Sequence, residues 1–159
     1  MEVYRDPPLE AIRTLLSAVD LPTEDVFEDD TRIFFGLGDR DESTNQSGRG
    51  DFRDGDDIGA LAGVIGVELY NNVALVRSLA VSPDQRGAGL GSILVAHLER
   101  FVMREGVRSL YLLTTTAQPY FARRGYDLLP KENAPEVIRK TREYSVICPE
   151  SAVLMVKHS

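Results

Sequence analysis

The sequence predicts a mixed α/β fold in which helices cover a β-sheet. Three observations predict it. The chain has 159 residues, of which 43% are hydrophobic, which is enough for one core and about one domain. Its apolar residues recur with the period of helices in some segments and with that of strands in others. In chain order these segments give a hairpin, a strand–helix–strand unit, and a final helix and strand, an order typical of a mixed sheet.

The first third of the chain predicts a helix, a strand and a long polar loop. After two prolines, apolar residues recur at helical spacing: Leu9, Ile12, Leu15, Leu16 and Val19. A turn into a short second helix is predicted at residues 21–25, and an apolar strand at residues 32–37. Residues 39–57 contain one large apolar side chain, Phe52, so we expect a mobile acidic insertion there. A function for so long a loop is the alternative to a solvated surface segment.

The remaining two thirds predict the rest of the sheet. An Asn-Asn pair at residues 71–72 separates two apolar segments, residues 58–70 and 73–81, which predicts a β-hairpin. A helical apolar stripe at residues 89–105 ends at Gly106, as helices commonly do. The further predicted elements are a strand at 109–116, a helix at 117–124, a strand at 126–129, a helix at 135–145 and a strand at 152–157.

Composition excludes several classes of protein. No run approaches the roughly 18 apolar residues of a membrane span, and the acidic start of the chain lacks the basic region of a signal peptide. The single cysteine, Cys148, cannot form an internal disulfide, so we expect a cytoplasmic protein. The two histidines, His97 and His158, are too far apart for a zinc cluster, and no metal is expected.

The net charge of −7 is unevenly distributed. Residues 1–57 carry 16 acidic and 6 basic side chains, a net −10, whereas residues 58–159 carry 9 acidic and 12 basic, a net +3. Nucleic-acid binding requires a clustered basic face and is not expected. A basic part that receives a polyanionic small molecule fits this distribution better.

One turn combines glycines with a following helix. Arg86, Gly89 and Gly91 form an Arg-x-x-Gly-x-Gly pattern after the strand that ends at Val81. Glycines let the backbone approach a ligand, and the amides of the turn and of the helix N-terminus bind phosphate oxygens. The P-loop lysine is absent, and the dinucleotide pattern fails because its third glycine would be Ser92. We therefore expect a di- or polyphosphate ligand; the alternative is a glycine-rich turn without a ligand.

Residues 81–91 resemble the acetyl-coenzyme A motif of the GNAT acetyltransferases, and residues 120–126 resemble a later helix end of that family. The resemblance covers about residues 59–157. Within the family the chain looks most like the arsenic-resistance N-acetyltransferases, akin to enzymes that acetylate phosphinothricin-like and arsinothricin-like amino acids. It implies one α/β (α+β) domain over residues 1–159, with a mixed, mostly antiparallel sheet, a splayed central strand pair and flanking helices.

The resemblance also implies how acetyl-coenzyme A is bound. The pantetheine arm would lie between the strands at 73–81 and 109–116 and hydrogen-bond the backbone of Leu79, Ala80 and Val81. The residues implied for the pyrophosphate are Arg86, Gly87, Ala88, Gly89, Leu90, Gly91 and Ser92, with Phe121 as a further coenzyme contact. Backbone near Val81 would polarise the thioester carbonyl, which the amine attacks directly.

Two proton transfers need candidate residues. Glu68 is the first choice for the base that takes the proton from the amine, and the alternative is a solvent-facing residue near the hairpin turn. The family's acid is a tyrosine at the position that Phe121 occupies here, so Tyr120, one residue earlier, is the candidate substitute. The alternatives are that Tyr120 packs in the core, or that the thiolate leaves unassisted, since thiols have a pKa of roughly 8.5.

Arg77 is the first candidate for substrate binding, because it lies in a strand that should be central and a buried arginine needs an anionic partner. It is either a clamp for a substrate carboxylate, phosphinate or arsonate, or the partner of a core carboxylate such as Glu68. Thr114 and Thr115 would offer hydroxyls to the cleft; the alternative is that they are strand formers. The remaining candidates are expected to be structural or solvated: His97, Cys148, Arg139, Arg142 and Tyr144.

The predicted function is acetyl-coenzyme A-dependent N-acetylation of a small-molecule amine, with an anionic amino-acid analogue or toxin as one candidate. Two alternatives stay open. One is a coenzyme A-binding sensor without turnover, suggested by Phe121. The other is a peptide N-acetyltransferase whose acidic insertion attracts basic peptides. A homodimer is also left open, and no nucleic acid or membrane partner is expected.

Overall fold

The computed structural model describes residues 2–19, 32–38, 61–83, 87, 89–115, 117–141 and 151–158. Within these ranges the chain forms strands, α-helices and one 3₁₀ turn. In chain order they are β1 (Glu2–Arg5), α1 (Leu9–Ala18), β2 (Arg32–Gly38), β3 (Gly63–Tyr70), β4 (Val73–Val81), α2 (Leu90–Arg104), β5 (Ser109–Thr114), α3 (Gln118–Arg123), β6 (Asp127–Leu129), the 3₁₀ turn (Lys131–Asn133), α4 (Glu136–Arg139) and β7 (Val153–His158).

The strands form one sheet in the order β1-β2-β3-β4-β5-β7-β6. β1 is antiparallel to β2, and β7 is antiparallel to both β5 and β6. β4 and β5 are parallel, in register from Val73–Ser109 to Val76–Leu112. A parallel pair needs a crossover of a dozen or more residues, and the 15-residue α2 provides it. The predicted mixed, mostly antiparallel sheet flanked by helices is confirmed.

Most element positions agree with the sequence predictions. β4 has the predicted bounds, and α2 is one residue shorter at each end than predicted. β1 was not predicted, and α4 has four residues where a helix over 135–145 was expected. The turn at 21–25, which was expected to lead into a second helix, and the acidic insertion at 39–57 lie outside the described residues.

By internal contacts the chain divides into two compact units, each with its own core. The first contains β1, α1, β2 from Ile33, β3 through Ile65, β4 from Ser78, and α2 through Leu98. Its core packs α1 on residues of β2, β3 and β4 and on Leu61, which precedes β3; the members are Ile12, Leu15, Leu16, Phe34, Leu61, Val64 and Ala80.

The second unit contains Arg32, the rest of β3 and β4, and the chain from Glu99 onward. Its core consists of Leu75, Tyr111, Ala134, Ile138, Leu154 and Val156. That residues 1–159 form a single acetyltransferase domain stays a prediction. No helix in the described part of the chain combines the length and apolarity that crossing a membrane requires.

Candidate functional site

The glycine-rich turn lies in the first unit, immediately before α2. Gly87 and Gly89 have φ angles of 90° and 77°, a left-handed conformation that glycine adopts without strain. A Cβ atom added to either residue would meet no heavy atom of the described residues within 4 Å, so none of those residues fills the space above the two glycines. The Ile93 amide donates to the Gly89 carbonyl at 3.2 Å and thereby starts the helix. The earlier amides of a helix lack intrahelical acceptors and are available to an anion.

Close packing brings α2 against the ends of β3 and β4. A Cβ at Gly63 would lie 2.9 Å from Leu94 Cδ1 and 3.2 Å from the Ala80 carbonyl oxygen, so only glycine fits there without displacement. The Ser82 amide donates to the Ala62 carbonyl at 2.8 Å and fixes the end of β4. The end of β4 and the first turns of α2 are therefore held close together next to the glycine-rich turn.

The structure places part of the predicted coenzyme set at the end of β4, in this turn and at the start of α2. Ala80 and Leu90 are buried, and the other described members are half-buried or exposed: Leu79, Val81, Gly87, Gly89, Gly91 and Ser92. Arg86 and Ala88 lie outside the described residues. The roles given to these residues stay predictions.

β4 contains a backbone irregularity that the sequence analysis did not anticipate. Ser78 has a φ of 57°, a left-handed value that is uncommon for residues other than glycine. A left-handed residue inside a strand interrupts the alternation of side chains, as in a β-bulge. Residues 74–77 are all buried, whereas between Ser78 and Val81 only Ala80 is. The change in burial therefore coincides with Ser78.

Glu68 is the centre of a buried charged cluster in the second unit. Its side chain is fully buried, and its Oε2 accepts from Arg77 Nη1 at 2.5 Å and lies 3.3 Å from Arg32 Nε. Its Oε1 accepts a hydrogen bond from the hydroxyl of Tyr70. Arg77 is 3% exposed. One carboxylate thus contacts two guanidinium groups and a phenol away from bulk solvent.

This cluster decides between some of the alternatives. The interpretation of Glu68 as a solvent-facing residue is wrong, because the side chain is fully buried, accepts from Tyr70 and Arg77, and lies beside the Arg32 guanidinium. The pairing of Arg77 with Glu68 is confirmed. The base role of Glu68 and the clamp role of Arg77 stay predictions. Sequence reasoning missed Tyr70, although its position two residues after Glu68 places both on one strand face.

Three aromatic rings follow one another at α3. Tyr120 is half-buried and lies edge-on to Phe121, with 5.0 Å between the ring centroids. Phe121 is 4% exposed, and its centroid lies 5.3 Å from that of Tyr126. Tyr120 therefore packs partly against the core, which agrees with the alternative that this residue is a packing residue. The acid role of Tyr120 and the coenzyme contact of Phe121 stay predictions.

A second carboxylate cluster, centred on Glu99 of α2, joins the end of α3 to β7. Glu99 accepts from the Tyr126 hydroxyl at 2.8 Å, from Arg124 Nη2 at 3.1 Å and from Lys157 Nζ at 3.3 Å. Burial raises the pKa of Tyr126 well above its usual value, and the negative charge of Glu99 raises this pKa further. The sequence analysis missed this cluster, since no local pattern connects residues up to 58 positions apart.

The other candidates are placed as follows. Thr114 Oγ1 accepts from the Ala117 amide at 3.0 Å, just before α3 begins, and Thr115 is exposed. His97 lies edge-on to Phe35 at 4.7 Å. Arg139 is exposed at the end of α4. Arg142, Tyr144 and Cys148 lie outside the described residues. Among the described residues there is no group of three His, Cys, Asp or Glu side chains that could hold a metal.

Comparison with known sequences gives a family and several relatives. The profile described as "Acetyltransferase (GNAT) family" matches residues 13–126. An uncharacterized N-acetyltransferase of Chlorobaculum tepidum is 35% identical over 89 residues, which are 55% of this chain and 57% of that protein. An amino-acid acetyltransferase of Ralstonia nicotianae is 34% identical over 79 residues, 50% of this chain and 17% of that protein. The matched part of the chain thus spans little more than half of the first relative and less of the second.

Solved structures share the fold at low sequence identity. N-acetylglutamate synthase of Neisseria gonorrhoeae, complexed with coenzyme A and N-acetyl-glutamate, superposes with a TM-score of 0.64 at 20% identity, over 99% of this chain and 35% of that one. An aminoglycoside 6'-N-acetyltransferase complexed with coenzyme A gives 0.66 at 17% identity, over 99% and 97%. Rv2747 of Mycobacterium tuberculosis, in complex with CoA and NLQ, gives 0.68 at 17% identity, over 100% and 99%.

Proposed function

Because the chain belongs to the acetyltransferase (GNAT) family, we propose that it is an acetyl-coenzyme A-dependent N-acetyltransferase. The observation that carries the proposal is the open, left-handed turn at Gly87 and Gly89 before α2. Curated relatives named N-acetyltransferase and amino-acid acetyltransferase support the reaction class. Neighbouring structures complexed with coenzyme A support the co-substrate.

The residues of the turn fit the pyrophosphate of coenzyme A. Side chains would fill the space above Gly87 and Gly89, whereas their absence leaves the backbone accessible to phosphate oxygens. We assign the pyrophosphate to Arg86, Gly87, Ala88, Gly89, Leu90, Gly91 and Ser92. The pantetheine arm is assigned to the backbone of Leu79, Ala80 and Val81. Acetyl-coenzyme A supplies the acetyl group from its thioester, and the turn would hold the coenzyme by its phosphates.

The proposed acceptor is the amine of a small molecule that also carries an anionic group, as amino acids do. The Glu68 cluster supports this substrate class, since it gathers two guanidinium groups around one carboxylate. The side chain of Arg32 is 10% exposed and that of Arg77 is 1% exposed, so a substrate could reach Arg32 more easily than Arg77. Amino-acid analogues with arsenic or phosphorus oxyanions fall in the same chemical class and stay candidates.

Glu68 has two competing roles, the general base and the counter-ion that holds Arg77 and Arg32 in place. Its two hydrogen-bond donors, Tyr70 and Arg77, occupy lone pairs that a base would use, and the Arg32 guanidinium lies beside the same carboxylate, which favours the counter-ion role. Glu68→Gln separates the roles. Loss of a base lowers kcat by roughly 100-fold with little change in KM. Loss of a counter-ion raises the KM for carboxylated amines more than that for neutral amines.

Calorimetry with two matched variants tests the coenzyme site. Asn and Asp both tolerate the left-handed φ of Gly89 and have nearly the same shape. Gly89→Asp should weaken coenzyme A binding roughly 100-fold because its carboxylate repels the phosphates, whereas Gly89→Asn should keep most of the affinity. Equal affinities for the two variants would contradict the placement of the pyrophosphate at this turn.

The reaction itself is tested by following free thiol release from acetyl-coenzyme A with a panel of amines. The proposal expects release with small amines and faster turnover with carboxylated ones. Coenzyme binding without thiol release over the whole panel would instead support the sensor that Phe121 suggested. Release with basic peptides alone would support a peptide N-acetyltransferase.

A further inference from the structure

We propose that Glu99 and Tyr126 act together as positioning residues that fix α3 and thereby place the hydroxyl of Tyr120. The inference rests on the proposed function in one respect, the role of Tyr120 as the acid for the leaving thiolate. The positions of Glu99 and Tyr126 do not depend on that function, and neither residue has another role in the mechanism.

The first step is the concentration of contacts on one carboxylate. Glu99 accepts hydrogen bonds from Arg124 and Tyr126, which follow α3 directly, and from Lys157 in β7. Its side chain is 16% exposed, so these contacts are only partly screened by water. The carboxylate therefore connects α2 to the segment that ends α3.

The second step is the state of Tyr126. The residue is 2% exposed, and a buried hydroxyl without an acceptor is costly. Glu99 supplies that acceptor at 2.8 Å. Since burial raises its pKa, Tyr126 stays a neutral hydrogen-bond donor throughout the neutral pH range.

The third step connects Tyr126 to Tyr120. The amide of Tyr126 donates to the Phe121 carbonyl at 3.0 Å, and the two rings pack edge-on. Phe121 packs in the same way on Tyr120. α3 has only six residues, and so short a helix is not stable by itself. These contacts contribute to the orientation of α3, which in turn affects where the Tyr120 hydroxyl lies.

The consequence concerns the collapse step of acetyl transfer. As the new N–C bond forms and the C–S bond breaks, the nitrogen releases a proton to solvent, the Tyr120 hydroxyl gives its proton to the sulfur, and Tyr120 regains a proton from solvent. Proton transfer of this kind is sensitive to displacements of about 1 Å. A loosened α3 therefore lowers kcat and leaves substrate binding largely intact.

The decisive experiment is a double-mutant cycle in kcat with Tyr120→Phe and Tyr126→Phe. Tyr126→Phe removes only the hydroxyl that reaches Glu99 and should lower kcat about tenfold, with the KM values within about twofold. In the Tyr120→Phe background the same substitution should have no further effect on kcat, because Tyr126 acts through Tyr120. Additive losses of kcat in the cycle would overturn the proposal.

Two controls separate positioning from simple destabilisation. Glu99→Gln weakens the acceptor and should reproduce the loss of kcat, whereas Glu105→Gln, on the exposed residue that follows α2, should match the unaltered protein. All variants are compared at a temperature at which circular dichroism shows them folded. Equal kcat values for Glu99→Gln and Glu105→Gln would count against the proposal.

A readout without turnover distinguishes this proposal from the proposed function. In protein labelled with 3-fluorotyrosine, the ¹⁹F resonance of Tyr120 is assigned from its absence in Tyr120→Phe. This resonance should shift in Glu99→Gln and stay unchanged in Glu105→Gln. No shift would overturn the positioning role even in an active enzyme. A shift in a protein that releases no thiol would retain the positioning role and refute the acetyltransferase.

Discussion

At the scale of single residues, two charged clusters in the described part of the second unit are centred on glutamates, the buried Glu68 and the half-buried Glu99. Glu68 contacts two guanidinium groups, and Glu99 contacts one guanidinium and one ammonium. Removing one partner of such a group leaves the other charge buried without compensation, which costs more than the pair itself contributes. The stability of the fold should therefore be more sensitive to single substitutions in the buried Glu68 cluster than in the half-buried Glu99 cluster.

Arg77→Met should lower the free energy of unfolding by about 3–5 kcal/mol, because the Glu68 carboxylate loses its closest donor while still buried. Urea unfolding followed by circular dichroism measures the change. Lys140→Met is the matched control, since Lys140 pairs with Glu136 at the surface, where both side chains are more than 70% exposed. The control should change stability by less than about 1 kcal/mol. Similar values for both variants would show that the buried pair contributes little.

The phenol of Tyr126 predicts a dependence of stability on alkaline pH. Its folded-state pKa is raised above the usual 10.0. The unfolded chain therefore releases this proton first as the pH rises, and the stability present below pH 10 is progressively lost above it. The free energy of unfolding should fall more steeply in the unaltered protein than in Tyr126→Phe, by about 1.4 kcal/mol per pH unit above about 10. Parallel pH profiles would contradict the buried, neutral phenol.

At the scale of elements, the contact between β3 and α2 depends on a missing side chain. Gly63→Ala places a Cβ 2.9 Å from Leu94 Cδ1 and 3.2 Å from a backbone oxygen. Since Leu94 is itself fully buried, neither neighbour can move freely, and we expect a loss of stability of about 1–2 kcal/mol. Thermal and urea unfolding measure it. Gly91→Ala is the control, because its nearest neighbour would be Val81 Cγ2 at 3.8 Å, and it should be neutral or slightly stabilising.

The elements also show which parts of the fold are readable from the sequence. β4 and α2 were predicted almost to the residue, because apolar periodicity and glycine punctuation are local signals. β1 has a mixed composition without strict alternation, and its extended state depends on pairing with β2 along Glu2–Gly38 to Arg5–Phe35. α4 starts after Pro135 as predicted but ends after four residues. No residue within the predicted helix marks that end.

In the candidate site too, features formed by neighbouring residues were predictable from the sequence, and those formed by distant residues were not. The turn at Gly87 and Gly89 was predictable because the glycines, the strand before and the helix after are contiguous. The pairing of Glu68 with Arg77 was one of two alternatives, since both lie in neighbouring strands of a predicted hairpin. The contact of Glu99 with Lys157 depends on the register of the last strand and was beyond sequence reasoning.

At the scale of the whole molecule, ligand binding and folding are coupled. A ligand that binds only the folded chain stabilises it by about 2.7 kcal/mol at about 100 times its Kd. For a chain of 159 residues this corresponds to a rise in Tm of roughly 5–10 °C. Coenzyme A at that concentration should produce such a rise, which differential scanning calorimetry measures directly.

The charge distribution predicts how that rise depends on salt. Residues 58–159 carry a net +3, in contrast to the net −10 of residues 1–57, and the turn lies in the basic part. Since Coulomb attraction to the phosphates is screened within about 8–10 Å at physiological ionic strength, the rise in Tm should shrink between about 0.05 M and about 0.5 M salt. Gly89→Asp should reduce the rise to roughly 1–2 °C at low salt, as its roughly 100-fold weaker binding requires, and Gly89→Asn should keep most of the rise. A rise that both variants retain would place coenzyme A elsewhere on the chain, because the two variants differ only in whether the new side chain ends in a carboxylate or an amide.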